Sequence, residues 1–300
     1  MAELRDWHGV RRLYVRDDGT RAGTLRALID GPFQFDLDGV RAAWGFGEAP
    51  LRSPVAGIAQ AERQALQPSC GSLREAFLAA LAPADALALG GGLDAALVLA
   101  GLRELGLPMP ALLTLATGLP GYDEVERAQA IARHFSMPLQ VVQVNPATLV
   151  ELLPQAVAAV ETPLYNLHPV SRFALTVQAR ARGFESMLTG DGADAACAGK
   201  ADLDYVPLVA ALNAGLKVSS PFFDPQVIAG ARGPAKLRLR ELAALLGLPD
   251  WIAQSPKVAR FMPELDLSRY PLQAVPELGE PRPGVRWTTL GLLARHLGRT

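Results

Sequence analysis

Residues 84–105 read ADALALGGGLDAALVLAGLREL, and this stretch decides the fold. Ala86 to Leu89 is a short apolar run of the kind that forms a buried strand. Gly90, Gly91 and Gly92 follow, then Leu93 and Asp94, and then Leu97, Leu99, Leu102 and Leu105 on a helix packed against a sheet. A strand, a glycine loop and a helix N-terminus together present backbone N–H groups to an anion. The same glycines also suit a tight turn with no ligand, and this stretch alone leaves both readings open.

The pattern continues outward. Ser72 to Leu81 reads as a helix with Ser72 at the N-cap and Glu75 three residues on, the spacing of a capping box. Strands are expected at 111–116, 139–144 and 186–188, and helices at 123–134, 148–160 and 170–182. Strands alternating with helices over this length predict an α/β domain, a parallel sheet with helices on both faces. Ligands on such sheets sit at the carboxyl ends of strands. The glycine loop is at one such end, and Thr189-Gly190-Asp191-Gly192-Ala193-Asp194 is at another. Beyond Gly199 the chain reads as a helical, proline-punctuated C-terminal part. Residues 1–68 read as a small β-rich N-terminal module, with a hairpin turn at Asp17-Asp18-Gly19. Phe33, Phe35 and Leu37 alternate like a half-buried strand, pairing through Asp38-Gly39 with Val40 to Phe46, and Ala59 to Leu66 reads as a short helix. Residues 69–300 form the main domain.

Composition narrows the function classes. Half of the 300 residues are hydrophobic and the formal net charge is −1, so a large core forms without staples and no nucleic-acid or membrane-surface footprint is present. Cys70 and Cys197, the only cysteines, give neither a disulfide framework nor a zinc spacing, and a cytoplasmic location is expected. The N-terminus lacks the apolar core of a signal peptide, and no apolar run reaches the roughly 18 residues of a membrane span.

Taken together, the two loops resemble the synthetase domain of asparagine synthetases and β-lactam synthetases, ATP-pyrophosphatases of the PP-loop type with an adenine-nucleotide α-hydrolase-like fold. Gly90 to Ala96 (GGGLDAA) resembles the family's SGGLDSS, Thr117 to Glu124 its G-x-P-x-x-x-E-like turn, and Thr189 to Ala195 (TGDGADA) its second loop. Ser220 to Asp224 is similar to a P-F-L-D turn, Lys236-Leu237-Arg238 to a K-x-L-R helix start, and Ser255-Pro256-Lys257 to an R-P-K segment. The resemblance implies that ATP activates a carboxylate as an acyl-adenylate and that an amine then attacks it. Gly90, Gly91, Gly92 and Gly190 would hold the nucleotide's phosphates, and the strand end at Leu113 would frame the adenine. Asp94 and Asp194 would bind magnesium. Lys257 would stabilise developing negative charge, and Asp191 would stand near the acceptor.

The departures fall at the chemistry. Gly90, Ala95 and Ala96 stand where the family has serines, and Ala195 stands where it has glutamate. A hydrogen bond to a charged group contributes on the order of 1.5–3 kcal/mol, so losing two or three costs roughly a hundredfold to many thousandfold in ATP handling. Residue 2 is Ala2, not the cysteine of the glutaminase-bearing members, and only about 70 residues precede the synthetase region, a possible remnant of that domain. The leading expectation is a degenerate synthetase that binds a peptide or small-molecule partner, such as a precursor peptide or a pathway enzyme, as an accessory factor in natural-product biosynthesis. The alternative is an active ATP-dependent carbon–nitrogen ligase without glutaminase activity. A nucleotide-binding sensor is the third reading. Simpler roles compete at each position: helix N-cap for Asp94 and Asp194, turn residue for Asp191, solvated side chain for Lys257, surface helix residue for Lys236. His134 and His168 read as structural, and core packing is the expectation for Trp7, Trp44, Trp251 and Trp287.

Overall fold

The computed structural model describes residues 4–45, 52–66, 71–200, 205–256 and 262–298. In chain order the regular elements are β1 (Tyr14–Arg16), β2 (Arg21–Ala22), α1 (Leu37–Trp44), β3 (Ile58–Gln60), α2 (Leu73–Ala79), β4 (Ala86–Ala88), α3 (Leu93–Glu104), β5 (Ala111–Ala116) and α4 (Val125–His134). They continue with β6 (Leu139–Gln143), α5 (Pro146–Val160), α6 (His168–Ala181), β7 (Ser186–Leu188), α7 (Ala193–Ala198), α8 (Tyr205–Leu212), β8 (Lys217–Ser219), α9 (Pro225–Ala231), α10 (Leu237–Leu245), α11 (Asp250–Ala253) and α12 (Val285–Leu297).

The main sheet has the order β6-β5-β4-β7-β8 and is parallel throughout. Its central strand β4 is wholly buried, as an all-apolar sequence flanked by strands on both sides requires. Side chains alternate between the faces. Leu87, Leu89, Leu112 and Leu188 enter a core with α2, α3 and α10, whereas Ala86, Ala88, Leu113 and Met187 enter a second core with α5, α6, α8 and α12. The chain runs from β4 out to β6 and then returns to place β7 on the other side of β4. The direction of winding therefore reverses between β4 and β7, the position at which open α/β sheets form a crevice. The two glycine-containing loops follow these two strands.

The capping box at Ser72 and Glu75 is present. The N-terminal segment forms a three-stranded antiparallel sheet, β2-β1-β3, with the expected hairpin between Tyr14 and Ala22. Val10, Tyr14, Leu25, Leu28, Phe35 and Val40 share a continuous core with α5 and α12, and Trp44 packs on Trp287 with ring centroids 5.1 Å apart. Glu161, 1% exposed, fastens this junction. Its carboxylate accepts from Arg12 Nη1 at 3.0 Å, from the Leu25 and Arg26 amides at 2.7 and 3.0 Å, and pairs with His296 Nε2 at 3.3 Å.

Several expectations are corrected. Within the strand pair expected over 33–46, Leu37–Trp44 is helix α1, with Asp36 accepting from the Gly39 amide as N-cap, and Phe35 makes a single bridge to Val55. Gly39 allows the helix to press against the Ser53 carbonyl, so Asp38-Gly39 is not a hairpin turn. The helix expected over 59–66 gives way to β3, because Tyr14 to Arg16 supplies a pairing edge for Ile58 to Gln60. Helix α4 begins at Val125, since the Asp123 carboxylate turns back to accept from the amides of Thr117 and Gly118 and from Thr117 Oγ1. Trp251 is exposed and not core. Cys70 and residues 46–51 lie outside the described residues. Among the described residues, no helix is long and apolar enough to cross a membrane.

Candidate functional site

A cleft of about 490 Å³ opens at the β4/β7 crevice, within the size range of small-molecule sites. It is lined by Gly90 to Ala95, by Thr189 to Asp194, and by groups from the surrounding helices that include Glu124, Arg127, His168, Arg172, Lys236 and Arg240.

The two loops hold each other. A Cβ on Gly190 would stand 2.6 Å from the Ala95 amide nitrogen and 2.8 Å from the Asp94 carbonyl carbon, so glycine lets the second loop rest against the first turn of α3. Gly190→Ala is expected to wedge the loops apart against backbone that cannot yield cheaply. The expected cost is about 2 kcal/mol, read as a fall in urea midpoint with unchanged m. The N-terminal segment supports the same loop from behind. A Cβ on Gly192 would stand 3.2 Å from His8 Cε1, and His8 Nε2 lies 2.9 Å from the Phe222 carbonyl.

Asp94 and Asp194 converge, but on a lysine. Lys236 Nζ donates to Asp94 Oδ1 and Oδ2 at 2.8 and 2.6 Å and reaches Asp194 Oδ1 at 2.8 Å. The surface-helix reading of Lys236 is corrected: its side chain is 14% exposed and points into the cleft. The backbone makes this possible by an uncommon turn, with Ala235 and Lys236 both left-handed at φ 52° and 58°. Each such residue costs roughly 1–2 kcal/mol, and strain of this kind collects at functional positions. Arg240 braces the turn, its Nε donating to the Ala235 carbonyl and its two Nη atoms to the carbonyls of Ala253 and Ser255. Burial alone would push the Lys236 ammonium down, yet Asp94 and Asp194 together hold it well above the usual lysine range. It is a permanent cation at neutral pH.

The glycine loop carries a second surprise. A Cβ on Gly90 would stand 2.7 Å from Glu124 Oε2, and one on Gly91 would stand 2.9 Å from Glu124 Oε1 and 2.5 Å from Arg127 Cβ. A serine at 90 would have to displace the Glu124 carboxylate. Only Gly92, the N-cap of α3, faces open space.

The other expected site residues are placed as follows. Asp191 lines the cleft but is ion-paired with Arg172 at 2.8 Å, while its carbonyl accepts from Ser220 Oγ. Leu113 is fully buried and does not line the cleft. Its carbonyl accepts from the Leu89 amide, and the neighbouring Thr114 and Leu115 face the space instead. Lys257 lies outside the described residues, although Ser255 and Pro256 line the cleft just before it. Glu124, Arg127, His168, Arg172 and Arg240 were not singled out from sequence as site residues. Glu124 closes the turn motif at Thr117 to Glu124, but no local motif marks Arg127, His168, Arg172 or Arg240, which reach the cleft from α4, α6 and α10.

His168 is also unusual in its ionisation. Burial first, and then the Arg172 charge, hold its imidazole down to about 3. The unfolded chain therefore binds a proton here that the folded protein does not. This group's contribution to stability is fully present above about pH 6.5 and is lost, at up to roughly 1.4 kcal/mol per pH unit, as pH falls toward 3. The difference in stability between the wild-type protein and His168→Gln, measured by denaturant titration at pH 7 and pH 4.5, is expected to shift in favour of the variant at the lower pH.

Magnesium and ATP are what the resemblance implies for this cleft. The arrangement does not fit them. Both candidate metal carboxylates are already bonded to the Lys236 ammonium, which stands where a divalent cation would have to be held. At the loop, the Glu124 carboxylate lies against Gly90 and Gly91, and positions 90, 95 and 96 carry no serine hydroxyl.

Comparison with known proteins bears on the ancestry of the site. No curated protein sequence matches the chain. Among solved structures, it is similar to an NMN synthetase from Francisella tularensis at 15% identity, over 62% of this chain and 74% of that one, with a TM-score of 0.39. The family model for asparagine synthase matches residues 85–270, from the residue before the central strand to beyond the cleft-lining segment at Ser255 and Pro256. The chain belongs to the asparagine synthase family.

Proposed function

We propose that this protein keeps the synthetase architecture and has given up amide formation, and that it uses the cleft to bind a peptide or small-molecule partner as an accessory factor in the making of a modified peptide or related natural product. The observation that carries this reading is the self-neutralised loop pair: Lys236 occupies Asp94 and Asp194, and Glu124 lies against Gly90 and Gly91. A site that satisfies its own charges has little left with which to hold a metal-bound triphosphate. The family's ATP-dependent chemistry would then be ancestral here. With magnesium, ATP and a panel of amino acids and peptide carboxylates, the protein is expected to release no AMP or pyrophosphate above the rate of a heat-denatured control. Steady release with any one carboxylate would overturn the reading.

A second reading, an active ATP-dependent carbon–nitrogen ligase, draws support from the left-handed pair Ala235 and Lys236, since retained strain suits a working site. The same assay separates the two.

A further inference from the structure

The half of the cleft beyond the glycine loop holds a closed ring of hydrogen bonds. Ser171 Oγ lies 2.7 Å from the His168 carbonyl, Tyr122 Oη lies 2.7 Å from Ser171 Oγ, and Tyr122 Oη lies 2.7 Å from His168 Nδ1. The directions follow from donor chemistry. A carbonyl only accepts, so the Ser171 hydroxyl donates to it. Ser171 Oγ then accepts from the Tyr122 hydroxyl, and the Tyr122 oxygen accepts from His168 Nδ1–H. With these directions each of the three contacts holds one proton, which gives the imidazole as the Nδ1–H tautomer with a lone pair on Nε2. That atom has no hydrogen-bond partner among the described residues, and the ring lines the cleft. The ring is set rigidly, because Tyr122 is 7% exposed and meets His168 edge to face at 6.0 Å.

We infer that His168 Nε2 is a fixed, neutral hydrogen-bond acceptor that recognises an N–H or O–H donor on the ligand, with a peptide-type amide as the matching class. Tyr122 and Ser171 are its positioning residues. The charged group that faces it is Arg172, itself paired with Asp191. Arg172 disfavours a proton on the imidazole, as does burial, so the group does not serve as a proton carrier near neutral pH. An acceptor without a partner rejects ligands that lack the donor, because a buried lone pair left unpaired is costly. The inference concerns the same cleft as the accessory-binding reading, but it does not depend on the fate of ATP.

The test is long-range ¹H–¹⁵N correlation spectroscopy on the full chain labelled at its four histidines, with assignment by His168→Gln. At pH 7 His168 is expected to show protonated Nδ1 and bare Nε2, unchanged down to pH 5. Tyr122→Phe and Ser171→Ala should each mix the tautomers; two variants guard against one failing to fold. N-methylacetamide, which has one N–H, should move the Nε2 resonance toward its hydrogen-bonded value, and N,N-dimethylacetamide, which has none, should not. An Nε2–H tautomer, titration between pH 6 and 7, no response to N-methylacetamide, or equal responses to both amides would each overturn the inference. The nucleotide is absent throughout, so this outcome is read separately from AMP release.

Discussion

Lys236→Met is expected to lower stability by about 3 kcal/mol at pH 7 and to create a divalent-cation dependence that the wild-type protein lacks. The side chains of Asp94, Asp194 and Lys236 are 23%, 25% and 14% exposed, so the trio is mostly withdrawn from water. Methionine fills the same length and removes the charge, leaving two carboxylates facing each other. Breaking a buried pair in this way typically costs about 3–5 kcal/mol, and partial exposure puts the expectation at the low end. The sign with pH follows. Without the lysine, burial and the neighbouring Asp194 push the Asp94 carboxyl up. The folded variant then binds a proton more tightly than the unfolded chain, so its stability is greatest in acid and is lost as pH rises through the raised value. Magnesium should raise the variant's Tm and leave the wild type unmoved. A wild-type Tm that rises with magnesium as much as the variant's would mean that the lysine does not hold the metal position.

Glu161→Ala should be at least as damaging, at about 4 kcal/mol or on the order of 10 °C in Tm. The carboxylate is buried, and its loss strands Arg12, 8% exposed, together with the amides of Leu25 and Arg26. Burial alone would push this carboxyl up; His296, Arg12 and the two amides outweigh it and hold it below the ordinary glutamate range. Its contribution is therefore present above the unfolded value, near 4.3, and is lost as pH falls through the folded one. Because every one of these partners except His296 belongs to the N-terminal segment, limited proteolysis should cut the variant first within residues 4–45, before global unfolding. Uniform cleavage along the chain would show that Glu161 is not the fastener of that segment.

What was legible in the sequence follows from the range of the forces involved. Strand β4, the glycine loop and α3 are written locally, in apolar runs and periodicity, and so is the capping box at Ser72. The alternation of β and α elements was enough to place both loops on one edge of a parallel sheet. The N-terminal segment misled where short apolar patterns suit either period: Leu37, Val40 and Trp44 fit a helix as well as Phe33, Phe35 and Leu37 fit a strand. The Asp36 cap and the contact of Gly39 with Ser53 decided it. The site was half legible. Asp94 and Asp194 meet as their positions suggested, but their partner is 142 residues from Asp94 and is delivered by two consecutive left-handed residues, which no propensity signals in alanine and lysine. Leu113 sits too far from the carboxyl end of β5: its side chain is buried in the core, and the next residues along the strand, Thr114 and Leu115, reach the cleft.

The central claim is that the cradle at Gly90 to Gly92 no longer holds a metal-bound nucleotide. Isothermal titration calorimetry of the wild-type protein with Mg·ATP tests it most directly. The account predicts no saturable heat up to millimolar nucleotide. A saturating isotherm in the micromolar range would contradict it.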